Sequence, residues 1–338
     1  MRNNILIIQM LLAAFAAAQP VDVRLATIAP KGTSFEQILM VMREKWRKAP
    51  GGGVKLTIYA GGVMGGEAAV VQRMRQGSIQ AGLLTTVGLS AIDEAVTALQ
   101  YMPMMFRSLD EFDYVSEKLR PQLEKRFDEK GFVVLFWGDA GWIHFFSKTQ
   151  ALTPADFKDL KMFVWAGDNR SSDLMKGIGY KPRSLETSDI LPSLQTGIIE
   201  AFAQAPFFAL GAQLYPFAPH MLDLKWAPVM GAAVIEKKRW LQIPIVTRTS
   251  LLASAKEAGE QIKARSRLES EQSVETMKKR SLKVHAVSPQ LEAEWRRFAE
   301  QLYPKLRGSI VPAEQFDDVV RLLKEFRASS TTAKRVVQ

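Results

Sequence analysis

The stretch TPADFKDLKMFVWAG, residues 153–167, says most about the fold of this chain. Thr153 is a residue type that caps helices, and Pro154 suits the first position of a helix, so we expect a short helix there. The apolar run 162–165 that follows predicts a strand, which ends at Gly167. A helix and a strand joined this closely are typical of an α/β layer.

The stretch LQTGIIEA, residues 194–201, completes this unit. We expect a helix over 188–194 that stops at Gly197, because glycine commonly follows the end of a helix. Ile198 and Ile199 are expected to begin another buried strand. The resulting βαβ-like unit has no nucleophile–base pair and no cluster of metal ligands, so its sequence favours holding a molecule over transforming it.

Strands and helices also alternate on the N-terminal side of this unit. The expected strands are 23–28, 54–59, 80–85 and 131–137, and the expected helices are 34–48, 67–76 and 109–130. This order favours an α/β fold with parallel strand pairing. The glycines between positions 61 and 66 lack the spacing of a phosphate-binding loop, so a tight turn into the helix at Glu67 is preferred over a nucleotide site.

The C-terminal third is expected to be mainly helical. Residues 244–284 contain a single glycine and sparse apolar positions, which indicates one long, solvated helix or two helices joined end to end. Residues 313–327 have an amphipathic helical pattern, and residues 328–338 are expected to form a disordered tail.

The composition is that of a globular protein. The 338 residues are 47% hydrophobic, which is enough for one or two cored domains. The net charge of +10 comes from scattered basic residues without interleaved aromatic ones, so nucleic-acid binding is not expected. The sequence has no cysteine, which excludes disulfides, thiolate catalysis, zinc–thiolate sites and a lipoprotein anchor.

Residues 1–18 have the pattern of a secretory signal peptide. Arg2 supplies the positive charge, residues 5–15 form the apolar segment, and residues 16–18 offer a cleavage site. An uncleaved membrane anchor is the alternative, but the apolar run is short for a bilayer. We therefore expect a cleaved, exported protein of the periplasm.

No residue pattern points to catalysis or to a metal cofactor. The histidines His144, His220 and His285 stand at no metal-ligand spacing, and no nucleophile elbow is present. His144 lies in the aromatic stretch GWIHFF, where a core or crevice-wall position is preferred over a ligand contact. We therefore predict neither enzymatic activity nor a cofactor.

The stretches 153–167 and 194–201 resemble the solute receptors of tripartite ATP-independent periplasmic (TRAP) transporters, the DctP-like family. LATIAPKGT, residues 25–33, is similar to the first strand and ligand-side loop of that family, and IYAGGVMGGE, residues 58–67, is similar to its next loop. The resemblance implies an α/β, two-lobe periplasmic-binding-protein fold, with a ligand crevice between the lobes and a long helix spanning both. It places residues 21–140 and about 229–275 in the first lobe, and 141–228 and about 276–327 in the second.

The resemblance also implies an unusual crevice. The family commonly pairs a ligand carboxylate with an arginine in the strand where this chain has Phe163, and a second common arginine falls near Trp142 or Ile143. The ligand-contacting asparagine of the family corresponds to Gln204. The candidate ligand-binding residues are therefore Trp142, Phe163, Gln204, Trp165, Phe207, Trp226, Thr33, Glu67 and Arg170. Several of the aromatic residues could instead be core, and Arg170, Lys31 or backbone N–H groups of residues 32–34 could meet a carboxylate.

The function implied by the resemblance is capture of a small organic acid and its delivery to the membrane permease subunits of a TRAP transporter. An aromatic crevice favours a ligand with an apolar or aromatic body over the C4-dicarboxylates. A receptor of the same fold that serves a sensor protein remains an alternative, and an exported enzyme is a more distant one.

Overall fold

The computed structural model describes residues 21–336, with side chains described as far as residue 329. The expected signal peptide, residues 1–18, lies outside the described residues. In chain order the strands are β1 (Val21–Thr27), β2 (Val54–Tyr59), β3 (Ala81–Thr85), β4 (Phe132–Trp142), β5 (His144–Ser147), β6 (Lys161–Trp165), β7 (Lys181–Leu185), β8 (Ala201–Gln204), β9 (His220–Leu222), β10 (Pro228–Glu236) and β11 (Lys283–His285).

Helices connect most of these strands. The α-helices are Ser34–Arg47, Glu67–Arg75, Thr86–Ser90, Leu109–Glu129, Pro154–Asp159, Asn169–Gly177, Ile190–Thr196, Pro206–Gly211, Lys237–Leu241, Ile245–Lys278, Pro289–Leu306 and Ala313–Val336, with short 3₁₀ helices at Glu94–Leu99 and Thr187–Asp189. The segment expected as one helix or two is thus a single helix of 34 residues, Ile245–Lys278, called the long helix below.

The first lobe is built on a five-stranded sheet with the order β2-β1-β3-β10-β4. Strand β1 pairs in parallel with both β2 and β3, as the alternation of strands and helices predicts. Strand β10 is antiparallel to β3 and β4, because the chain returns from the second lobe to enter the sheet between them.

The second lobe is built on a six-stranded sheet with the order β11-β9-β5-β8-β6-β7. Thr153 forms a capping box with Asp156 at the start of the short helix, and β6 follows, as expected. Gly197 ends the next helix with a φ of 75°. The prediction that Ile198 and Ile199 begin a strand is wrong: β8 begins at Ala201, and Ile198 is 50% exposed, because residues 197–200 complete the turn out of the helix.

The two lobes are joined by strand β4, which continues into β5, and by β10, which returns from the second lobe. The long helix packs along β4 and also contacts the first and second lobes through the helices Ser34–Arg47 and Pro206–Gly211. The two-lobe α/β fold with a helix spanning both lobes is therefore confirmed.

The last helix differs from expectation in its packing and in its length. Its buried residues Val319 and Leu323 join the core of the first lobe, where they pack with Val115 and Leu119 of the helix Leu109–Glu129. The sequence assigned residues 313–327 to the second lobe, but the apolar stripe of this helix fits the matching stripe on the first. The helix also continues to Val336, past the expected start of a tail at residue 328.

Among residues 21–336, no helix has both the length and the apolar character needed to cross a bilayer.

Candidate functional site

A cavity of about 240 Å³ lies between the two lobes. The first lobe contributes residues from the segments that follow β3, and the second lobe contributes β6, the end of β8 and the helix Asn169–Gly177. The helix Pro289–Leu306 closes the remaining side. The volume of the cavity lies below the roughly 300–1,000 Å³ of pockets for drug-sized ligands, so the cavity suits a small molecule.

Strand β6 supplies an aromatic wall. Phe163 and Trp165 alternate with Val164 along the strand, so the two rings fall on the same face of the sheet. Their ring centroids are 4.8 Å apart in an edge-to-face arrangement, and the Trp165 ring also meets Phe208 at 6.1 Å. These contacts fix the positions of both rings before any solute arrives.

A second aromatic cluster lines the far side of the cavity. Phe145, Trp226 and Trp295 meet with ring-centroid distances of 5.0–5.5 Å, and Phe298 packs against both tryptophans. The Trp295 indole N–H donates to the backbone carbonyl of Leu152 at 2.7 Å, which ties the helix Pro289–Leu306 to the second lobe. The cavity is consequently apolar over most of its surface.

A few polar groups interrupt the apolar lining. The Tyr101 hydroxyl donates to Asp168 Oδ2 at 2.7 Å, and Asp168 Oδ1 accepts from the Ser171 backbone N–H at 3.2 Å. Gln100 Oε1 accepts from the Met230 backbone N–H, which leaves its amide N–H₂ group for another acceptor. Gln204 has no side-chain hydrogen bond to any residue whose side chain the structure describes, so its whole amide is available.

Burial and Asp168 together control the ionisation of Tyr101. Burial is the larger cause that raises the pKa of Tyr101 well above its ordinary value, and the neighbouring Asp168 carboxylate adds to it. The Tyr101 hydroxyl therefore keeps its proton and remains a hydrogen-bond donor.

No lysine, arginine or histidine is among the side chains that line this cavity in the described part of the chain. Asp168 is the one acidic side chain in the lining. The resemblance implies a carboxylate-pairing arginine at the position of Phe163, and no described cationic side chain lines the cavity in its place.

The lobes touch each other around the cavity. The Tyr101–Asp168 hydrogen bond joins them on one side, and Arg170 of the second lobe binds Glu94 of the first. Bare backbone meets the opposite lobe at the mouth: a Cβ on Gly167 would lie 2.8 Å from Ala68, and one on Gly62 would lie 3.0 Å from Thr187. The structure is therefore of a closed form.

Four of the nine sequence-predicted site residues line the cavity. They are Phe163, Trp165, Gln204 and Trp226. Phe163 is only 6% exposed and also belongs to the core cluster of the second lobe, so the binding and core interpretations both apply to it.

Two predicted aromatic residues lie elsewhere. Trp142 is buried in the core of the first lobe, with the Lys225 ammonium 5.9 Å from its ring centroid. Phe207 stacks on Phe35 at 4.9 Å and lines a smaller neighbouring cavity of about 80 Å³. The structure therefore places Trp142 in the core and Phe207 in a contact between the lobes.

The three predicted polar residues are bonded outside the cavity. Thr33 donates to the Pro30 carbonyl at 2.7 Å. Glu67 is buried and accepts hydrogen bonds from Thr85 and from the Gly88 backbone N–H, and burial raises its pKa. Arg170 binds Glu94 and the Ser309 carbonyl at the surface. These three residues therefore hold the loops around the site.

His144 and the other histidines take no part in the cavity. His144 is buried and pairs through its backbone with Gln204, and burial lowers its pKa. His220 and His285 stack on each other, with Nδ1 and Nε2 2.8 Å apart. Within the described residues, no group of three or more acidic or histidine side chains is placed to hold a metal ion.

Sequence reasoning missed Tyr101, Asp168, Gln100 and Ser171. Asp168 has the appearance of an ordinary helix cap, which it also is. Tyr101 lies in a loop without regular periodicity, and its partner is 67 residues away. No local signal distinguishes these residues from structural ones.

Comparisons with known proteins agree with this architecture. Residues 25–308 match the family model of the bacterial extracellular solute-binding proteins, family 7. The C4-dicarboxylate-binding periplasmic protein DctP of Rhodobacter capsulatus is 18% identical over 297 residues, which make up 87% of this chain and 89% of that protein.

Solved structures of TRAP periplasmic solute-binding proteins show the same fold. The protein from Xanthobacter autotrophicus, with bound β-D-galacturonate, has a TM-score of 0.81 and 16% identity, covering 89% of this chain and 99% of its own. The protein from Sulfurospirillum deleyianum, with bound succinate, has a TM-score of 0.81 and 17% identity, covering 90% of this chain and 98% of its own. The resemblance seen in the sequence is confirmed, and the chain belongs to the bacterial extracellular solute-binding proteins of family 7.

Proposed function

We propose that this protein is the extracytoplasmic receptor of a TRAP-type transporter, which captures a small organic acid with an apolar body between its two lobes. The observation that carries the proposal is the cavity of about 240 Å³ enclosed by both lobes, in a chain of the solute-binding family. Structural neighbours with bound galacturonate and succinate support an organic acid as the ligand class.

The remaining parts of the proposal follow from the family. Its members are extracellular, which supports a periplasmic location reached through the expected signal peptide. The cavity brings together neither a nucleophile with a base nor a set of metal ligands among the described residues, which supports capture without catalysis. The captured solute is delivered to the membrane permease subunits. A gene neighbourhood that encodes two such subunits would favour a permease over a sensor protein.

Thermal unfolding in the presence of candidate solutes tests the proposal. A solute at about a hundred times its dissociation constant stabilises the folded protein by about 2.7 kcal/mol. For a protein of this size, whose unfolding entropy is about 0.7 kcal/mol/K, that corresponds to a rise in melting temperature of roughly 4 °C. We expect monocarboxylates with apolar bodies to stabilise more than malate, fumarate or succinate, and calorimetric titration should confirm one site per chain.

Small-angle scattering supplies an independent test. If the lobes open without solute and close on it, the radius of gyration falls on saturation. A protein that no solute stabilises, with a radius of gyration that no solute changes, would contradict the receptor function.

A further inference from the structure

The charge of the cavity is unusual for a receptor of organic acids. Among the described residues that line it, the only side chain charged at neutral pH is Asp168. The buried carboxyl of Glu67 lies directly behind the lining residue Thr85, so its charge when ionised has the same sign. A purely anionic solute would therefore enter a cavity that offers it no opposite charge and one like charge, which is unfavourable at low dielectric constant.

The carboxylate of Asp168 is held by neutral donors alone. It accepts one hydrogen bond from the Tyr101 hydroxyl and one from the Ser171 backbone N–H, and two carboxylate oxygens can accept about four. The nearest guanidinium, that of Arg170, is engaged with Glu94 and the Ser309 carbonyl, and it affects Asp168 only through space. Asp168 thus has free lone pairs and no cation among its hydrogen-bond partners.

The surroundings of Asp168 suit a cationic group. Trp165 and Tyr101 line the same cavity, and the faces of such rings attract ammonium groups. The buried Ser171 Oγ, which interacts with the Tyr101 hydroxyl, adds a further polar atom near the carboxylate. Asp168 is half-buried, and a partly desolvated carboxylate is stabilised when a bound cation both pairs with it and donates hydrogen bonds to it.

We propose that Asp168 selects solutes that carry an ammonium group, so that the acid captured by this receptor is an apolar amino acid and not a simple carboxylic acid. The inference rests on the proposed receptor function and specifies its ligand. The ammonium group binds Asp168, and the carboxylate is left to the neutral amide donors of Gln100 and Gln204. The pairing arginine of related receptors is dispensable here because such a solute has no net charge.

Matched sets of solutes test the inference. One set is leucine, 3-methylbutylamine and 4-methylpentanoate; the other is phenylalanine, 2-phenylethylamine and 3-phenylpropanoate. All members of a set share the same apolar body. The amino acid has both charged groups, the amine lacks the carboxylate, and the deaminated acid lacks the ammonium group. Both sets are measured by thermal shift and calorimetric titration within a wider library of small apolar acids, amines and amino acids.

We expect the amino-bearing members to bind about ten to a hundred times more tightly than the deaminated acids, the range of a hydrogen bond to a charged group. Asp168→Asn should remove most of that preference. Asparagine also caps helices, so the helix that begins at Asn169 should remain folded, and denaturant unfolding checks this. Asp173→Asn is the matched control, because Asp173 lies on the same helix with its side chain 74% exposed, and it should leave the preference unchanged.

Two outcomes would overturn the inference in different ways. Deaminated acids that bind as tightly as their amino counterparts, with no effect of Asp168→Asn, would leave the receptor function intact and refute the role of Asp168. A library without a single stabilising solute would count against the receptor function, and the inference would fall with it.

Discussion

Two regions of the molecule use polar groups in opposite ways: the contact between the long helix and strand β4, and the cavity beside strand β6. Where the long helix contacts β4, Arg267 binds Asp139 at 2.7 Å and Asp113 at 2.6 Å, and Lys263 also binds Asp113. In the cavity, beside Phe163 and Trp165, lie the amide of Gln204, which has no hydrogen bond to a described side chain, and the carboxylate of Asp168, which has no cation among its hydrogen-bond partners. In the first region the charged side chains form ion pairs within the protein, whereas in the cavity polar groups remain available to a solute.

The difference shows where the molecule is fixed and where it is adaptable. Behind β4, Ser266 and Ser270 of the long helix also donate to the carbonyls of Asp139 and Ala140, at the point where the chain crosses between the lobes. These bonds hold the crossing strand whether or not a solute is present. The polar groups of the cavity keep hydrogen-bonding capacity that no described residue uses, at Gln100, Gln204 and Asp168, so the identity of the solute depends on them.

The largest effect is expected when the ion-pair network between the long helix and β4 is broken. Arg267→Ala leaves the carboxylate of Asp139, which is 2% exposed, without its cation. Removing one partner of a buried ion pair costs about 3–5 kcal/mol. Arg265→Ala is the matched control on the same helix, because its side chain is 66% exposed and its pair with Glu269 is worth about 0–1 kcal/mol. Denaturant unfolding of both variants measures the contrast, and equal losses would show that the network adds no stability.

Phe163→Ala probes a residue that belongs to both the core and the cavity. Truncation of a buried phenylalanine costs about 3–5 kcal/mol of stability. Loss of an apolar contact with a solute weakens binding by about 1–3 kcal/mol more. Phe202→Ala is the control, because Phe202 is fully buried in the same core without lining the cavity. Native-like affinity of Phe163→Ala, measured by calorimetry, would assign Phe163 to the core alone.

Tyr101→Phe tests the hydrogen bond that joins the lobes across the cavity. A hydrogen bond to a charged group contributes about 1.5–3 kcal/mol, so the equilibrium constant for lobe closure should fall about tenfold or more. We expect the variant to need more solute than the wild type before small-angle scattering shows the smaller radius of gyration of the closed form. Tyr180→Phe is the control, because its hydroxyl donates at 2.8 Å to the Pro154 carbonyl within the second lobe. If both variants scatter alike, Tyr101 does not hold the lobes together.

The smallest effect is expected for Glu67, whose pKa is raised by burial above its ordinary value of 4.5. A carboxyl with a raised pKa contributes stability below its unfolded value and loses it as the pH rises through its folded value. The unfolding free energy of the wild type should therefore fall, relative to that of Glu67→Gln, as the pH rises above 4.5. A constant difference between the two proteins from about pH 4.5 to about pH 7.5 would contradict the raised pKa.

Local features were predictable from the sequence, and contacts between distant segments were not. Thr153 and Pro154 mark a helix start because capping depends on neighbouring residues. Phe163 and Gln204 could be assigned to the cavity because the resemblance aligns them with ligand-contacting positions. Arg170 looked available for a carboxylate, but its partner Glu94 is 76 residues away in the sequence. The pairing of Tyr101 with Asp168 likewise depends on closure of the lobes.

The glycines at the mouth of the cavity bear on how the receptor could be engineered. A Cβ on Gly66 would meet the Glu186 carboxylate, and a Cβ on Gly167 would lie 2.8 Å from the Ala68 Cβ of the other lobe. An alanine at position 167 would act as a wedge between the lobes, with added backbone strain because Gly167 has a φ of 92°. Alanine and larger residues at positions 66 and 167 would form a graded series of wedges. This series would weaken the apparent affinity of the receptor while keeping its specificity, an adjustment that a biosensor for concentrated solutes needs.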